Sequence, residues 1–209
     1  VMPEYEKIGT YKNKKKYTMK IVLASHSPRR QELLKGLGVD FSVNVINGID
    51  ENYPASMPKE EVAEHLAVKK HEAYTVGEDE LLITADTIVV VDDEILGKPK
   101  DAADARRMLR TISGRTHKVV TGVCLATATE CRSFSVATEV TFRQLRDSEI
   151  DYYVDHYKPF DKAGAYGIQE WIGYVGVEGI RGSYYNVMGF PVQRVYEEMT
   201  RHFGLKIAE

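Results

Sequence analysis

The chain has 209 residues, 43% hydrophobic and 28% charged, with a formal net charge of −3. That is enough chain for a buried core, with an ordinary globular composition, and the slight acidity argues against a broad nucleic-acid-binding surface while leaving room for a local anion site. No apolar run is long enough to span a bilayer and no signal peptide is visible, so the expectation is a cytoplasmic protein without a membrane partner. Cys124 and Cys131 suit free thiols in a reducing compartment, with a hairpin disulfide as the alternative.

Residues 1–18 are polar and lysine-rich and read as a flexible N-terminal extension, with one ordered domain over 19–209. The apolar run Ile21-Val22-Leu23-Ala24 predicts a strand. Ser27-Pro28-Arg29-Arg30 then opens a helix, with Ser27 as N-cap, Pro28 at the first helical position, and Leu33, Leu34 and Leu37 on one face. Two arginines at a helix start are opposed by the helix dipole unless an anion sits there. They are either solvated or part of a phosphate site. Ser25 and Ser27 lack a His/Asp relay and suit hydrogen bonds to phosphate better than nucleophilic attack.

Phe41 to Ile46 alternates like a strand, and a loop follows that carries Asp50-Glu51. Pro58 starts a long helix with the stripe Val62, Ala63, Leu66, Ala67, Ala73 and Tyr74. Lys70 lies beside that stripe, either snorkelling to water or aimed into a site. Leu81 to Val91 reads as a buried strand, turned by Asp92-Asp93 and followed by a short return over Glu94–Leu96. Asp86 interrupts that strand. A carboxylate there needs a cation, a metal or a hydrogen-bond cluster, so it is either tied to strand-end backbone or a general base or metal ligand in a cleft. Thr87 points to the opposite face if the strand is regular; for both to touch one ligand the strand should end or bulge. Lys98 lies just past the return strand. With Arg29, Arg30 and Lys70 it could face one polyphosphate, or all four could be scattered surface cations. Asp50 and Glu51 could join Asp86 around a hard divalent ion, or form a solvated acidic loop.

Asp101 caps a helix with Ala102, Ala105, Met108, Leu109 and Ile112 inward, ended by Ser113-Gly114. Strands over Val119–Ala126 and Phe134–Phe142 and a helix over Ser148–Tyr157 come next. Lys162 to Gly189 is glycine-rich, as backbone close to a ligand or another strand requires. Pro191 opens a last helix with Val192, Val195, Tyr196, Met199 and Phe203 inward. Strands and helices alternate around hairpins, which predicts an α/β fold with a mixed central β-sheet flanked by helices. Phosphate-loop, nucleophile-elbow and zinc-histidine spacings are absent from the sequence.

Several segments together resemble the Maf family of nucleoside triphosphate pyrophosphatases. They are Ile21 to Leu34, Thr84-Ala85-Asp86-Thr87-Ile88-Val89, Leu96-Gly97-Lys98-Pro99-Lys100-Asp101, Ser113 to His117, Val140-Thr141-Phe142, Asp161 to Gln169 and Gly182 to Pro191. The resemblance implies two lobes around a deep cleft and metal-dependent hydrolysis of a nucleoside triphosphate to the monophosphate and pyrophosphate. It implies Mg2+ or Mn2+ as cofactor, and a homodimer as a common assembly. Asp86 matches the family's catalytic proton acceptor. Arg29, Thr87 and Gln169 match positions tied to substrate choice, and Arg30, Glu51, Lys70 and Lys98 match cleft residues, Glu51 with Asp86 toward the metal. Ala85-Asp86-Thr87 and Gly167-Ile168-Gln169 resemble the branch acting on dTTP and UTP. The alternatives are the branch acting on 7-methyl-GTP and a non-catalytic nucleotide sensor in cell division.

Overall fold

The computed structural model describes residues 19–207; the expected extension over 1–18 lies outside them. Its centre is a run of β-branched and aliphatic residues that forms the long strand β3 (Glu80–Val91). Two parallel neighbours lie on one side, β1 (Lys20–Leu23) and beyond it β2 (Phe41–Val43). On the other side come the antiparallel strands β5 (Thr116–Ala126), β6 (Cys131–Phe142) and β7 (Val177–Arg181). The short β4 (Glu94–Leu96) returns against β3 after a turn at Asp92. The result is the mixed α/β architecture expected, seven strands flanked by helices.

Side chains of β3 alternate between two faces, and its odd positions divide between two cores. Leu81, Ile83 and Ala85 pack with Leu34 of α1 (Pro28–Lys35), Val195 of the C-terminal helix α7 (Val192–Glu197), and Met199 and Phe203 just beyond it. Val89 and Val91 pack instead against α3 (Ala102–Ile112) and α4 (Asp147–Tyr157). These are the two lobes, and the waist between them falls at Ala85–Thr87. On the opposite face Ile88, Val90 and Val120 receive α2 (Lys59–Glu72) through Val62, Ala63 and Leu66. Acidic residues open α2 and Lys69, Lys70 and His71 close it, matching the helix dipole at both ends.

Several boundaries differ from expectation. β2 stops at Val43, because the chain beyond it turns to form a cleft rim instead of pairing. Ala73 and Tyr74 fall beyond α2; the Tyr74 hydroxyl donates to Asn44 O and accepts from Ile46 N, pinning that rim. The last helix gives way to a wider turn over Glu198–His202 that still directs Met199 and Phe203 inward. The glycine-rich stretch contains β7 and two short helices, α5 (Trp171–Gly176) and α6 (Tyr184–Val187). Among the described residues no helix is long and apolar enough to cross a membrane.

Candidate active site

A cleft of about 420 Å³ opens at the waist, within the usual size range of small-molecule sites. Ser27, Arg29, Arg30, Glu51, Lys70, Asp86, Thr87, Lys98 and Gln169 all line it. One wall is the β1–α1 turn, the other the chain around Lys162–Gln169, and the rim is the loop at 45–51.

The strand β3 neither ends nor bulges at Asp86: its register with β5 is regular, Asp86 opposite Gly122 and Thr87 opposite Thr121. The sheet itself supplies the access. On its other edge β3 pairs with β1 only as far as Ile83 and with β4 only from Val89. The edge between them is open, so the cleft reaches Asp86 on one face of the strand and Thr87 on the other. Gly122 brings α2 close to the sheet here. A Cβ at that position would stand 2.2 Å from the backbone of Ala63, so only glycine allows the approach that carries Lys70 to Asp86.

Lys70 Nζ lies 2.6 Å from Asp86 Oδ1 and 2.9 Å from Glu51 Oε1. Two carboxylates from separate elements therefore converge on one cationic point. The Asp86 side chain is 15% exposed, and Lys70 is its sole hydrogen-bond partner among the described residues. Burial works to raise the pKa of Glu51, but Lys70, with Lys98 and Arg30 farther off, holds it below the usual carboxylate range. Asp50, the neighbouring acid, turns the other way to pair with Lys69 at 2.8 Å and lies outside the cleft lining.

The Ser27 hydroxyl caps α1 by accepting from Arg30 N, with Pro28 in the first turn, as the sequence predicts. The two arginines beyond it differ. Arg30 Nε donates to Gly189 O at 2.8 Å, Nη1 to Ala85 O at 2.9 Å and to Ser25 Oγ, and Nη2 to Thr87 Oγ1 at 3.1 Å. Four of its five N–H groups are thus committed to protein. It clamps α1 to the open edge of β3 and lends the cleft its charge. Burial pulls its pKa below the ordinary arginine value, opposed by Asp86. Arg29 keeps one contact across the cleft mouth, Nη1 to Asp161 Oδ2 at 3.0 Å. Lys98 is exposed and makes no hydrogen bond or ion pair with another described residue. The exposed His26 also lines the cleft.

Gln169 carries a buried Oε1 without a hydrogen-bond partner among the described residues. Such an acceptor costs about 1–3 kcal/mol if left unmet, and Gln169 is one of the residues lining the cleft. Its loop is held by residues that sequence reasoning did not single out. Lys162, buried, bridges Asp161 at 2.7 Å and Glu170 at 3.1 Å. Tyr153 OH donates to Glu170 Oε2 and accepts from Gly167 N. Burial pushes the pKa of Asp161 up, but Lys162 and Arg29 outweigh it and hold the group ionised. The one available signal was Asp161-Lys162, an ion pair at the head of a glycine-rich loop, and the sequence did not show that Lys162 is buried while Asp161 stays exposed.

Fold and cleft define a class: a two-lobed α/β protein whose waist sets paired acids beneath cations, suited to an anionic ligand that carries its own oxygen donors. Residues 20–202 match the family described as Maf-like protein, and the chain belongs to that family. A Phocaeicola vulgatus protein named dTTP/UTP pyrophosphatase is 57% identical over 90% of this chain and 98% of its own length. Proteins with the same name from Porphyromonas gingivalis W83 and Flavobacterium psychrophilum are 54% and 47% identical. They cover 92% and 90% of this chain, and 97% of each of those proteins is matched.

Proposed function

We propose that the protein hydrolyses pyrimidine nucleoside triphosphates, dTTP and UTP, to the monophosphate and pyrophosphate. The observation that carries this reading is the convergence of Glu51 and Asp86 on Lys70 inside a cleft also lined by Arg29, Lys98 and Gln169. The names of relatives matched along nearly their whole length support it.

In this mechanism Asp86 orients a water and takes its proton as the oxygen attacks the α-phosphorus of the triphosphate. The Asp86 Oδ2 oxygen has no protein partner among the described residues and is the natural acceptor. The water oxygen bonds to phosphorus, the bridging P–O bond breaks, and pyrophosphate carries away the bond's electrons. Lys70, Lys98 and Arg29 stabilise charge on the triphosphate oxygens, while Arg30 holds the cleft wall. The two hard oxygen donors that meet at one cationic point fit a divalent ion such as Mg2+ or Mn2+. Held by Glu51 and Asp86, it would neutralise phosphate charge. Gln169 reads the base: its Oε1 accepts from N3–H of uracil or thymine and its amide donates to O4. A cationic 7-methylguanine would favour a carboxylate at that position. The substrate is then a small molecule and not a polymer, handled in the cytoplasm.

The test is a nucleotide panel with pyrophosphate detection, with and without magnesium. Release from dTTP and UTP that needs a divalent ion is the expected result. Preference for 7-methyl-GTP, or dTTP binding without turnover, overturns it.

A further inference from the structure

Away from the cleft, on the α2 face of the sheet, His71, Cys124 and Cys131 bring three ligand atoms within 4.8 Å of one another. They come from three elements: the last turn of α2, β5 and β6. Cys124 is buried, Cys131 exposed and His71 between. The two sulfurs lie 2.8 Å apart, and His71 Nδ1 is buried with no hydrogen-bond partner among the described residues. Nothing in the proposed hydrolysis uses any of the three.

We propose that His71, Cys124 and Cys131 form a binding site for a thiophilic divalent cation, with zinc the best fit, separate from the carboxylate site of the cleft. The donor chemistry makes the choice. Thiolate and imidazole select zinc over magnesium, whereas Glu51 and Asp86 offer only hard oxygens. Around a tetrahedral zinc, neighbouring ligand atoms stand about 3.3–3.8 Å apart. The sulfurs, 2.8 Å apart, reach that spacing by parting about 1 Å, which the exposed Cys131 is free to allow, and the imidazole already lies within 4.8 Å of both. The His71 ring, whose Nδ1 is orphaned, then gains a partner. The fourth position opens to water on the Cys131 side. Glu64 and Glu72 act electrostatically on Cys124, so the surroundings favour a cation. A disulfide suits the pair less well. Cys124 registers with Ser133 and Cys131 with Ala126, and such diagonal neighbours stand about 7–8 Å apart, past the usual disulfide span. On binding, each thiol yields its proton to solvent, so affinity should rise with pH by up to about tenfold per unit per thiol. The ion would tie the end of α2 to the β5–β6 hairpin, one residue from Lys70.

The experiment titrates Co2+, as a spectroscopic stand-in for zinc, into the reduced, metal-free full-length protein. One equivalent should raise a sulfur-to-cobalt charge-transfer band that zinc then removes. Cys131→Ser should abolish the band. His71→Gln should weaken binding about tenfold or more, and Glu51→Gln, which alters only the cleft, should leave it unchanged. Thermal melts verify that each variant is folded. Absence of the band, equal affinity in His71→Gln, or loss of both thiols to a disulfide in the presence of zinc would each overturn the proposal. Ions held by the cleft carboxylates give no sulfur band, so failure here leaves the hydrolase reading untouched.

Discussion

Replacing Lys70 with methionine removes the one side chain on which both cleft acids converge, and the consequences can be worked from the geometry. Glu51 is more than half exposed and returns to water. Asp86, at 15% exposure, loses its sole partner among the described residues. Stripping a fully buried carboxylate of its partner costs about 3–5 kcal/mol, and the residual solvent access reduces this to about 2 kcal/mol. For a chain of this size that lowers Tm by about 4–8 °C. Asp86→Asn alone is milder, about 0.5–1 kcal/mol, because the amide oxygen still accepts from Lys70 and Lys70 keeps Glu51. In the double variant the uncompensated charge is gone, so its stability should exceed the sum of the single effects by about 1–2 kcal/mol. Urea melts of the four proteins measure this coupling, and pyrophosphate release from dTTP measures the chemistry. Asp86→Asn should lose about 10²–10⁴ of turnover while staying folded. Strict additivity of the stabilities would refute the pairing, and near-normal turnover by folded Asp86→Asn would refute its role as base.

Glu51→Gln should raise the divalent-ion concentration needed for half-maximal turnover by about tenfold or more, whereas Asp50→Asn, whose partner is Lys69 outside the cleft, should not; metal titrations of the two variants separate the adjacent acids. Gln169→Glu should cost dTTP and UTP about 2 kcal/mol or more of kcat/KM with metal dependence unchanged, and an unaltered substrate ranking would remove Gln169 as base reader. Gly122→Ala should destabilise by about 3 kcal/mol or more, since the added carbon overlaps the α2 backbone and something must move; a wild-type melting curve would show that the approach of α2 is not tight. His117 is buried, bonded to Tyr166 OH at 2.7 Å, and burial lowers its pKa to about 4. The unfolded chain therefore binds the extra proton between about pH 6.5 and 4, so stability should fall as pH drops through that window, by at most about 3 kcal/mol. His117→Gln should flatten that part of the pH–stability curve in urea melts.

The cap, the first helix and the central strand were readable because local chemistry decides them. Ser27 and Pro28 can do little else at a strand-to-helix turn, and the mostly aliphatic run of β3 has one stable use. Asp86 stood out by violating that run. What did not show were pairings made across the chain. Arg30 reads as a phosphate ligand beside Arg29, yet its guanidinium is taken up by carbonyls of Ala85 and Gly189, 55 and 159 residues away. Asp50 and Glu51 are equivalent in sequence and separate only because Lys69 and Lys70 leave α2 about 100° apart, each drawing one acid. Lys162 was passed over because a buried lysine looks like a surface one until its two carboxylates are found.

The largest gap between sequence and structure concerns how one strand serves one site from both faces. Alternation puts Asp86 and Thr87 on opposite sides of β3, and read locally this demands a bulge or a strand end. Neither occurs, because the solution lies in the neighbours' lengths. β1 stops opposite Ile83 and β4 pairs only from Val89 onward, so the cleft enters through the edge of the sheet. A gap of this kind belongs to no residue of β3. It follows from the Ser27 cap ending the strand register early and from the Asp92 turn returning the chain for three residues only. Extending β4 by two residues toward Thr87 would satisfy more backbone and close the edge. On this argument the short return strand is kept short by the site it flanks and not by any weakness of its own pairing.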